Sequence, residues 1–367
     1  MKRLLITGGA GFIGANFCHY WSDRYPDDRL VVLDALTYAG NLASIASLIE
    51  RERVRFVHGD IIERERVEAL LHEERIDTIV NFAAESHVDR SIEDPQSFLR
   101  TNVMGTHALL EAARSAWARP SPESCRFHHV STDEVYGSLG PEESAFTERT
   151  AYAPNSPYSA SKAAADHLVR AYAHTYGLPC TLSNCSNNYG PYQFPEKLLP
   201  LCIVNILEGR ALPIYGDGQQ VRDWLHVSDH CRAIDLILTA SPPRETWNVG
   251  GSSSDCNLKV VETLCGLTDA AFASEPELAR RYPRSAPALG RPSRSLIEHV
   301  RDRPGHDRRY AVDGAKIARL GFTLQTPLAT GLADTVRWYL ENEDWWRSIV
   351  SGEYRHWYER QYARAAP

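Results

Sequence analysis

The chain has 367 residues, of which 43% are hydrophobic and 24% are charged. These fractions are typical of a soluble globular protein, and the length favours two lobes that share a cleft over a single-core domain. Forty basic and 47 acidic residues give a net charge of −7. This charge argues against nucleic acid or an anionic membrane as a partner.

Hydropathy and cysteine usage indicate a cytoplasmic protein. No apolar run reaches the roughly 18 residues of a membrane-spanning helix. The short run Leu4-Leu5-Ile6 before Gly8 is typical of a buried strand rather than a signal peptide. The 8 cysteines are scattered, with no CxxC pair, as expected for reduced thiols. We therefore expect no membrane segment and no metal site.

The first half of the chain alternates apolar runs with amphipathic stretches. The runs predict strands at 4–6, 30–33, 55–57, 78–82 and 127–130, and the stretches predict helices around 12–23, 63–73, 102–117 and 157–176. Strand and helix in alternation predict an α/β fold, a doubly wound parallel (Rossmann) sheet with helices on both faces. The last of these helices has clear end signals, with Ser156 as cap, Pro157 in the first turn and Gly177 at the end.

The residue pattern changes after about residue 190, where turn-forming residues and prolines become frequent. The Pro/Arg-rich stretch 274–309 has weak periodicity and predicts a long loop over a cleft. The last forty residues are predicted to be helical and rich in aromatic side chains.

A glycine-rich turn follows the first predicted strand and opens a helix, with glycines at 8, 11 and 14. Gly8 permits a tight turn, Gly11 lets the backbone approach a pyrophosphate, and Gly14 allows close packing of the helix on the sheet. Asp34 ends the next strand, where its carboxylate can bind ribose hydroxyls and repel a 2′-phosphate. The pattern predicts NAD rather than NADP, and the alternative is a glycine-rich turn without a ligand.

Tyr158 and Lys162 are four residues apart, on one face of the capped helix. A nearby ammonium and a positive nicotinamide both favour the tyrosinate, so we expect Tyr158 to act as a base with a pKa below that of a free phenol. Lys162 can also hold the nicotinamide ribose. The alternative is a solvated helix face.

The triplet Thr132-Asp133-Glu134 follows the strand that ends at Val130. Ligands bind at the carboxyl ends of strands in a parallel sheet. Two adjacent acids at such an end can serve as one proton donor and one proton acceptor. The alternative is a pair of solvated loop carboxylates.

Further segments extend these motifs along the chain: Ala83–Asp89, Asn184–Pro191, Arg222-Asp223-Trp224 and Asp302–Tyr310. Together they resemble the extended short-chain dehydrogenases/reductases, and specifically the dTDP-glucose 4,6-dehydratase family, over nearly the whole length. The triplet at 132–134 and the Arg-Pro-Gly-His segment carry the narrower part of this resemblance. Related epimerases and decarboxylases place small or hydroxyl residues where this chain has Asp133 and Glu134.

The resemblance implies a three-step reaction on dTDP-glucose. Tyr158 takes the proton of the 4-hydroxyl while NAD accepts the hydride from C4, and Thr132 hydrogen-bonds the new ketone. Glu134 then takes the C5 proton, Asp133 protonates the departing 6-hydroxyl, and the hydride returns to C6. A UDP-glucose 4,6-dehydratase, a nucleotide-sugar 4-epimerase and a non-catalytic NAD-sensing protein stay open as alternatives.

The resemblance also implies binding residues. Those expected to contact NAD are Gly8, Gly11, Phe12, Ile13, Gly14, Asp34, Asp60, Ile61, Ala83, Ala84, Tyr158 and Lys162. Those expected to contact the substrate are Ser86, Asn187, Arg222, Asn257, Arg303, His306 and Tyr354.

The same resemblance suggests how the chain is divided and assembled. We expect residues 1–190 to form the NAD-binding Rossmann domain, with segments near 222–250 and 308–325 returning to it. Residues 191–367 would then form mainly a smaller, mixed substrate-binding domain. A homodimer is expected through a four-helix bundle of helices 102–117 and 157–176, with Leu168, Val169, Tyr172 and Tyr176 on its seam.

Overall fold

The computed structural model describes residues 1–118, 124–251 and 253–350. Its strands are β1 Arg3–Thr7, β2 Arg29–Asp34, β3 Val54–His58, β4 Thr78–Asn81, β5 Arg126–Thr132, β6 Cys180–Cys185, β7 Asn187–Tyr189, β8 Leu212–Tyr215, β9 Val221–His226, β10 Thr246–Val249, β11 Ser254–Cys256 and β12 Ile297–Val300.

The α-helices follow the strands in alternation through the first half of the chain. They are α1 Phe12–Arg24, α2 Ala46–Glu50, α3 Arg64–Glu73, α4 Val88–Glu93, α5 Pro95–Phe98, α6 Thr106–Ala116, α7 Pro157–Thr175, α8 Leu198–Glu208, α9 Val227–Ala240, α10 Asn257–Ser274, α11 Glu277–Arg281, α12 Ala315–Arg319, α13 Leu328–Glu341 and α14 Glu343–Ile349. A π-helical segment, Leu99–Gly105, joins α5 to α6.

Seven strands form one sheet in the order β10-β6-β5-β4-β1-β2-β3. Every neighbouring pair in this sheet is parallel. The chain winds outward in both directions from β1 and β4, so the ligand crevice of such a fold lies at the carboxyl ends of these two strands. The predicted doubly wound parallel sheet is confirmed.

Both faces of this sheet are covered by helices. Leu4, Leu5 and Ile6 in β1 point alternately to opposite faces, and all three are fully buried. One face packs with α3, α6 and α7, and the other packs with α1 and α9. Burial on both sides explains why the strands appear in the sequence as continuous apolar runs rather than as alternating patterns.

Residues after about 190 build a second apolar core. It includes the fully buried rings of Tyr189, Tyr282, Tyr339 and Trp346, packed among α8, α10, α13 and α14. Two small sheets border this core, β11-β9-β7 and β12-β8. Of the last forty residues, which the sequence predicts to be helical and aromatic-rich, the helices α13 and α14 cover the part up to Ile349. Residues 351–367 lie outside the described residues.

Some later segments contact the first lobe rather than the second. β10 extends the large sheet by pairing with β6, and α9 packs on the same face as α1. The helix α12 lies against β10, with Ile317 buried beside Trp247.

The prediction of a long loop at 274–309 is wrong. This stretch contains α11, two one-turn helices, and β12, which pairs in parallel with β8. Tyr282 and Ala286 are buried within it. The periodicity is weak because the segment buries single side chains at separate points instead of a continuous face.

The set of residues expected at the dimer interface also needs correction. Val169 and Tyr172 are 2% and 8% exposed, because they already pack inside the core of one chain. Of the four residues expected on the seam, Tyr176 is the one with a large exposed fraction, 55%. Among the residues described above, no helix combines the length and hydropathy needed to cross a bilayer.

Candidate active site

A cavity of about 300 Å³ opens at the carboxyl ends of the central strands. Its wall is built by the turns after β1, β2, β4 and β5, by the first turns of α7, and by the segment 185–197. The predicted cofactor residues all line it: Gly8, Gly11, Phe12, Ile13, Gly14, Asp34, Asp60, Ile61, Ala83, Ala84, Tyr158 and Lys162.

The three glycines after β1 have different structural roles. A Cβ on Gly14 would lie 2.3 Å from the carbonyl oxygen of Gly8, so α1 can approach the turn only with glycine there. Gly8 has a φ of +68°, and its Cβ would lie 2.7 Å from the backbone nitrogen of Ala83. A Cβ on Gly11 would meet only the Gly8 oxygen, at 3.2 Å. Packing therefore restricts Gly11 less than Gly8 or Gly14, and Gly11 lines the cavity.

Asp34 sits where β2 ends, and its carboxylate is held by two backbone amides. Oδ2 accepts from the N–H of Ala10 at 2.9 Å, and Oδ1 accepts from the N–H of Leu36 at 2.8 Å. Burial raises the pKa of Asp34 above its usual value, and the two amide donors oppose that rise. The side chain is thus fixed at the cavity wall by the turn that follows β1.

Two local turns position the predicted catalytic residues. Thr132 caps the one-turn helix Asp133–Tyr136, and its hydroxyl accepts from the N–H of Glu134 at 3.3 Å. Ser156 forms a capping box with Ser159 at the start of α7, which fixes the helix turn that carries Tyr158. Thr132, Glu134, Tyr158 and Lys162 line the cavity, and Asp133 is buried next to it.

The two adjacent carboxyl groups lie in different environments. Burial raises the pKa of Asp133 well above its usual value, and the charges of Glu134 and Asp223 add to the rise. Burial also raises the pKa of Glu134, but Arg303, Arg222 and Lys197 oppose it. Asp133 is therefore suited to carry a proton and Glu134 to accept one.

One carboxyl oxygen of Asp133 has no hydrogen-bond partner among the described residues. This oxygen, Oδ2, is buried. A buried carboxyl oxygen of this kind normally finds a partner. A substrate hydroxyl is a suitable one.

The expectation of a lowered pKa for Tyr158 is wrong for the protein's own groups. Burial raises the pKa of Tyr158 well above that of a free phenol, and the charge of Glu134 adds to the rise. The Nζ of Lys162 donates to the carbonyl oxygen of Val130 at 2.8 Å rather than to the phenol. A positive nicotinamide is thus the charge that has to favour the tyrosinate.

The predicted substrate residues fall into two groups. Ser86 and Asn187 line the cavity, and the Oδ1 of Asn187 is buried without a hydrogen-bond partner among the described residues. Arg222 and Arg303 are not part of that wall, but their charges reach Glu134. Arg222 donates to the carbonyl oxygens of Val221 and Asp307 and lies 4.4 Å from the ring centre of Tyr310.

The other predicted substrate residues in the described part of the chain are not among those that line the cavity. The Nη1 of Arg303 is 3.5 Å from the Oδ1 of Asp89. His306 lies 2.6 Å from Asp302, and burial lowers its pKa to about 4. Asn257 begins α10, beside the strand that carries Arg222. Tyr354 lies outside the described residues.

The sequence reading missed several charged or polar residues of the cavity wall, namely Glu85, Gln193, Glu196 and Lys197. Lys197 donates to the carbonyl oxygen of Ser86 at 2.7 Å. Glu196 accepts from the hydroxyl of Tyr38 at 3.0 Å and from Arg90 at 3.2 Å. The available signal was a Glu-Lys pair in an otherwise uncharged, turn-rich stretch. Within the described residues, no group of three or more His, Cys, Asp or Glu is placed to hold a metal ion.

Several known proteins are similar to this chain in sequence and in fold. The family described as GDP-mannose 4,6 dehydratase matches residues 5–335. A dTDP-glucose 4,6-dehydratase of Xanthomonas campestris is 54% identical over 97% of this chain and 98% of its own. A dTDP-glucose 4,6-dehydratase of Streptomyces venezuelae, solved with NAD and TYD bound, is 46% identical with a TM-score of 0.82. The match covers 95% of this chain and 100% of that one.

A second solved structure agrees with the first. The dTDP-glucose 4,6-dehydratase of Bacillus anthracis, in complex with NAD, is 44% identical with a TM-score of 0.81 over 95% of this chain and 100% of its own. Fold and site together define an extended short-chain dehydrogenase/reductase of the nucleotide-sugar dehydratase class. The chain belongs to the GDP-mannose 4,6 dehydratase family, and its similar relatives there are dTDP-glucose 4,6-dehydratases.

Proposed function

We propose that this protein is an NAD-dependent hydro-lyase that converts dTDP-glucose to dTDP-4-keto-6-deoxy-glucose in deoxysugar biosynthesis. The observation that carries the proposal is the pair Asp133 and Glu134 at the end of β5, with unlike environments, beside Tyr158. An epimerase needs Tyr158 but has no use for a second acid and base. The relatives at about half identity over nearly the whole length support the same substrate.

The residues around the cavity fit NAD. Gly11 lines the cavity at the start of α1, where a pyrophosphate can meet the N–H groups of the first helical turn. Asp34 places a carboxylate at the end of β2, where ribose hydroxyls can bind. Lys162 lies beside Tyr158 on α7 and can hold the second ribose. When bound, NAD supplies a hydride acceptor for C4 and later a hydride donor for C6.

The protein's own residues move the protons. Tyr158 takes the proton of the 4-hydroxyl, and the hydroxyl of Thr132 donates a hydrogen bond to the new ketone. This ketone acidifies the C5 proton, which Glu134 accepts. Asp133 gives its proton to the 6-hydroxyl, which leaves as water. Arg222, Arg303 and His306 bind the diphosphate together with Asn187. Ser86 contacts the sugar end or the nicotinamide, and Asn257 lines the substrate pocket.

Isotope transfer tests this reaction. With dTDP-glucose deuterated at C4, the deuterium should appear at C6 of the same molecule, and C5 should gain a solvent proton. Mass spectrometry and proton NMR of the product measure both. A dTDP-galactose product with the label still at C4 would show an epimerase. Faster turnover of UDP-glucose than of dTDP-glucose would contradict the assigned nucleotide.

We further propose a homodimer that works in the cytoplasm. Leu99 and Met104 of the π-helical segment are 55% and 53% exposed, and this segment packs beside α6 and α7. These two side chains and Tyr176, which is 55% exposed at the end of α7, are exposed apolar groups suited to contact a second copy. All eight cysteines are free thiols, which fits a reducing compartment. Cell fractionation with an antibody against the chain tests the location.

A further inference from the structure

After Tyr158 and Lys162, the helix α7 carries an acidic side chain, Asp166, at the same spacing. Tyr158, Lys162 and Asp166 are four residues apart, so they lie along one face of the helix. Asp166 is fully buried. It does not line the cavity, so it is placed to act on Lys162 rather than on a ligand.

The hydrogen bonds of Asp166 keep its carboxylate fixed. Its Oδ2 accepts from the hydroxyls of Ser131 and Tyr152, both at 2.9 Å, and from the side-chain amide of Asn184 at 3.2 Å. Its Oδ1 lies 3.5 Å from the Nε2 of His129. The same Nε2 is 3.4 Å from the Nζ of Lys162. His129 thus lies between the lysine and the aspartate.

The groups around this array come from several elements, and most of them are neutral. Burial and Lys162 hold the pKa of His129 well below its usual value, and burial raises that of the Cys185 thiol in β6 to about 12. Burial also raises the pKa values of the Tyr136 and Tyr152 phenols. Arg170 donates to Tyr152 from the outer side at 2.7 Å. Within the part of the chain that the structure describes, Asp166 is the carboxylate whose charge raises the pKa of Lys162. Burial raises the pKa of Asp166 itself, and Lys162 and the hydroxyls of Ser131 and Tyr152 oppose that rise.

We propose that Asp166 is a positioning residue that keeps Lys162 in its charged form beneath Tyr158, although it touches neither substrate nor cofactor. Burial disfavours the ammonium of Lys162, and the charge of Asp166 opposes that effect. The inference rests on the proposed function, in which the lysine ammonium holds the nicotinamide ribose beside Tyr158.

The first test is the pH dependence of NADH formation from dTDP-glucose in a single turnover. Activity needs charged Lys162, so the high-pH limb of the profile reports the loss of its proton. Asp166→Asn should move this limb to lower pH by about one unit or more, the usual effect of removing a nearby opposite charge. The matched control is Tyr152→Phe, which removes one donor to Asp166 but keeps the charge. Its limb should coincide with that of the wild type.

The second test follows unfolding rather than activity. Burial lowers the pKa of Lys162 in the folded state below its value in the unfolded chain. At pH values between these two pKa values the unfolded chain binds more protons, so the free energy of unfolding rises with pH. Asp166→Asn lowers the folded value further. With saturating NAD, the urea midpoint of unfolding should be lower for Asp166→Asn than for the wild type. This difference should be larger at pH 7 than at pH 9.5. For Tyr152→Phe the difference should be the same at both pH values.

Several outcomes separate the possibilities. If the wild type forms no NADH and no keto-sugar, the proposed function is wrong. A second outcome is that the wild type forms both while Asp166→Asn lowers the rate equally at every pH, or lowers the urea midpoint equally at both pH values. In either case Asp166 has a purely structural role and the inference is wrong. If Asp166→Asn does not fold, Asp166→Glu, which keeps the charge, must show the wild-type limb. A limb displaced by a unit would then overturn the inference.

Discussion

At the scale of single residues, the environment of a carboxyl group decides its role. Asp133 and Glu134 are neighbours in sequence, and burial raises the pKa of both. At Glu134 three cations oppose the rise, whereas at Asp133 the charges of Glu134 and Asp223 add to it more than Arg222 opposes it. Like charges at close range resist joint ionisation. One fold can therefore hold an acid and a base side by side at neutral pH.

The double variant Asp133→Asn with Glu134→Gln should separate the steps of the reaction. Tyr158 and Lys162 are unchanged, so NADH should still form from dTDP-glucose. Water loss should slow by about 10²–10⁴-fold for each proton carrier removed. Rapid-quench mass spectrometry should find a 4-keto sugar that retains its 6-hydroxyl. Normal keto-6-deoxy product from this variant would show that other residues carry the protons.

Tyr158→Phe should block the first step. Without the phenol, NADH formation in a single turnover should fall by about 10²–10⁴-fold. Binding of dTDP, measured by calorimetry, should change little, because the nucleotide contacts lie elsewhere. A variant with near-normal NADH formation would exclude Tyr158 as the base.

At the scale of elements, the turn between β1 and α1 combines packing with binding. Gly14→Ala should lower the free energy of unfolding by about 1–3 kcal/mol, because the added Cβ meets the Gly8 carbonyl. Gly11→Ala should cost less stability than Gly14→Ala, because its Cβ would meet the Gly8 oxygen at 3.2 Å rather than 2.3 Å, but it should weaken NAD binding. Urea unfolding and NAD titration of both variants measure this contrast. Equal effects of the two substitutions would mean that both glycines serve packing alone.

The contact between α6 and α7 should depend on pH. Arg114 and the hydroxyl of Tyr172 donate to Glu111, and these bonds lower its pKa to about 2. Because the folded value lies below the unfolded one, this stabilisation is complete above about pH 4.5 and is lost as the pH falls toward 2. Glu111→Gln should thus cost more stability at pH 7 than at pH 3. The exposed Glu142→Gln is the matched control, with no such difference expected.

At the scale of the whole molecule, assembly should depend on the side that carries Leu99. Leu99→Arg should convert the dimer into a 41.2 kDa monomer, because a charge would be buried between the copies. Leu289→Arg places the same charge on the second lobe at an equally exposed leucine, 56% against 55%, and should leave the dimer intact. Light scattering measures both. A wild type that is already monomeric at micromolar concentration would contradict the proposed homodimer.

The sequence by itself determined the parallel sheet and the identity of the central residues. Runs such as Leu4-Leu5-Ile6 are local patterns, and continuous apolar runs of this kind are typical of strands in a sheet that is buried on both faces. The glycine turn, the capped helix with Tyr158 and the triplet at 132–134 are also short-range patterns. Their positions at strand ends predicted that they would meet, and all of them border the same cavity.

The tertiary structure alone decided the electrostatics and the irregular segments. Glu196 and Lys197 reach the cavity through contacts with Tyr38, Arg90 and Ser86, which are distant in the chain. Burial raises the pKa of Tyr158, and the hydrogen bond to the Val130 carbonyl orients the Lys162 ammonium. Spacing along a helix reveals neither effect. The folding of 274–309 likewise rests on pairing with β8. Long-range burial and pairing leave little periodic trace in a sequence, so only the assembled chain shows them.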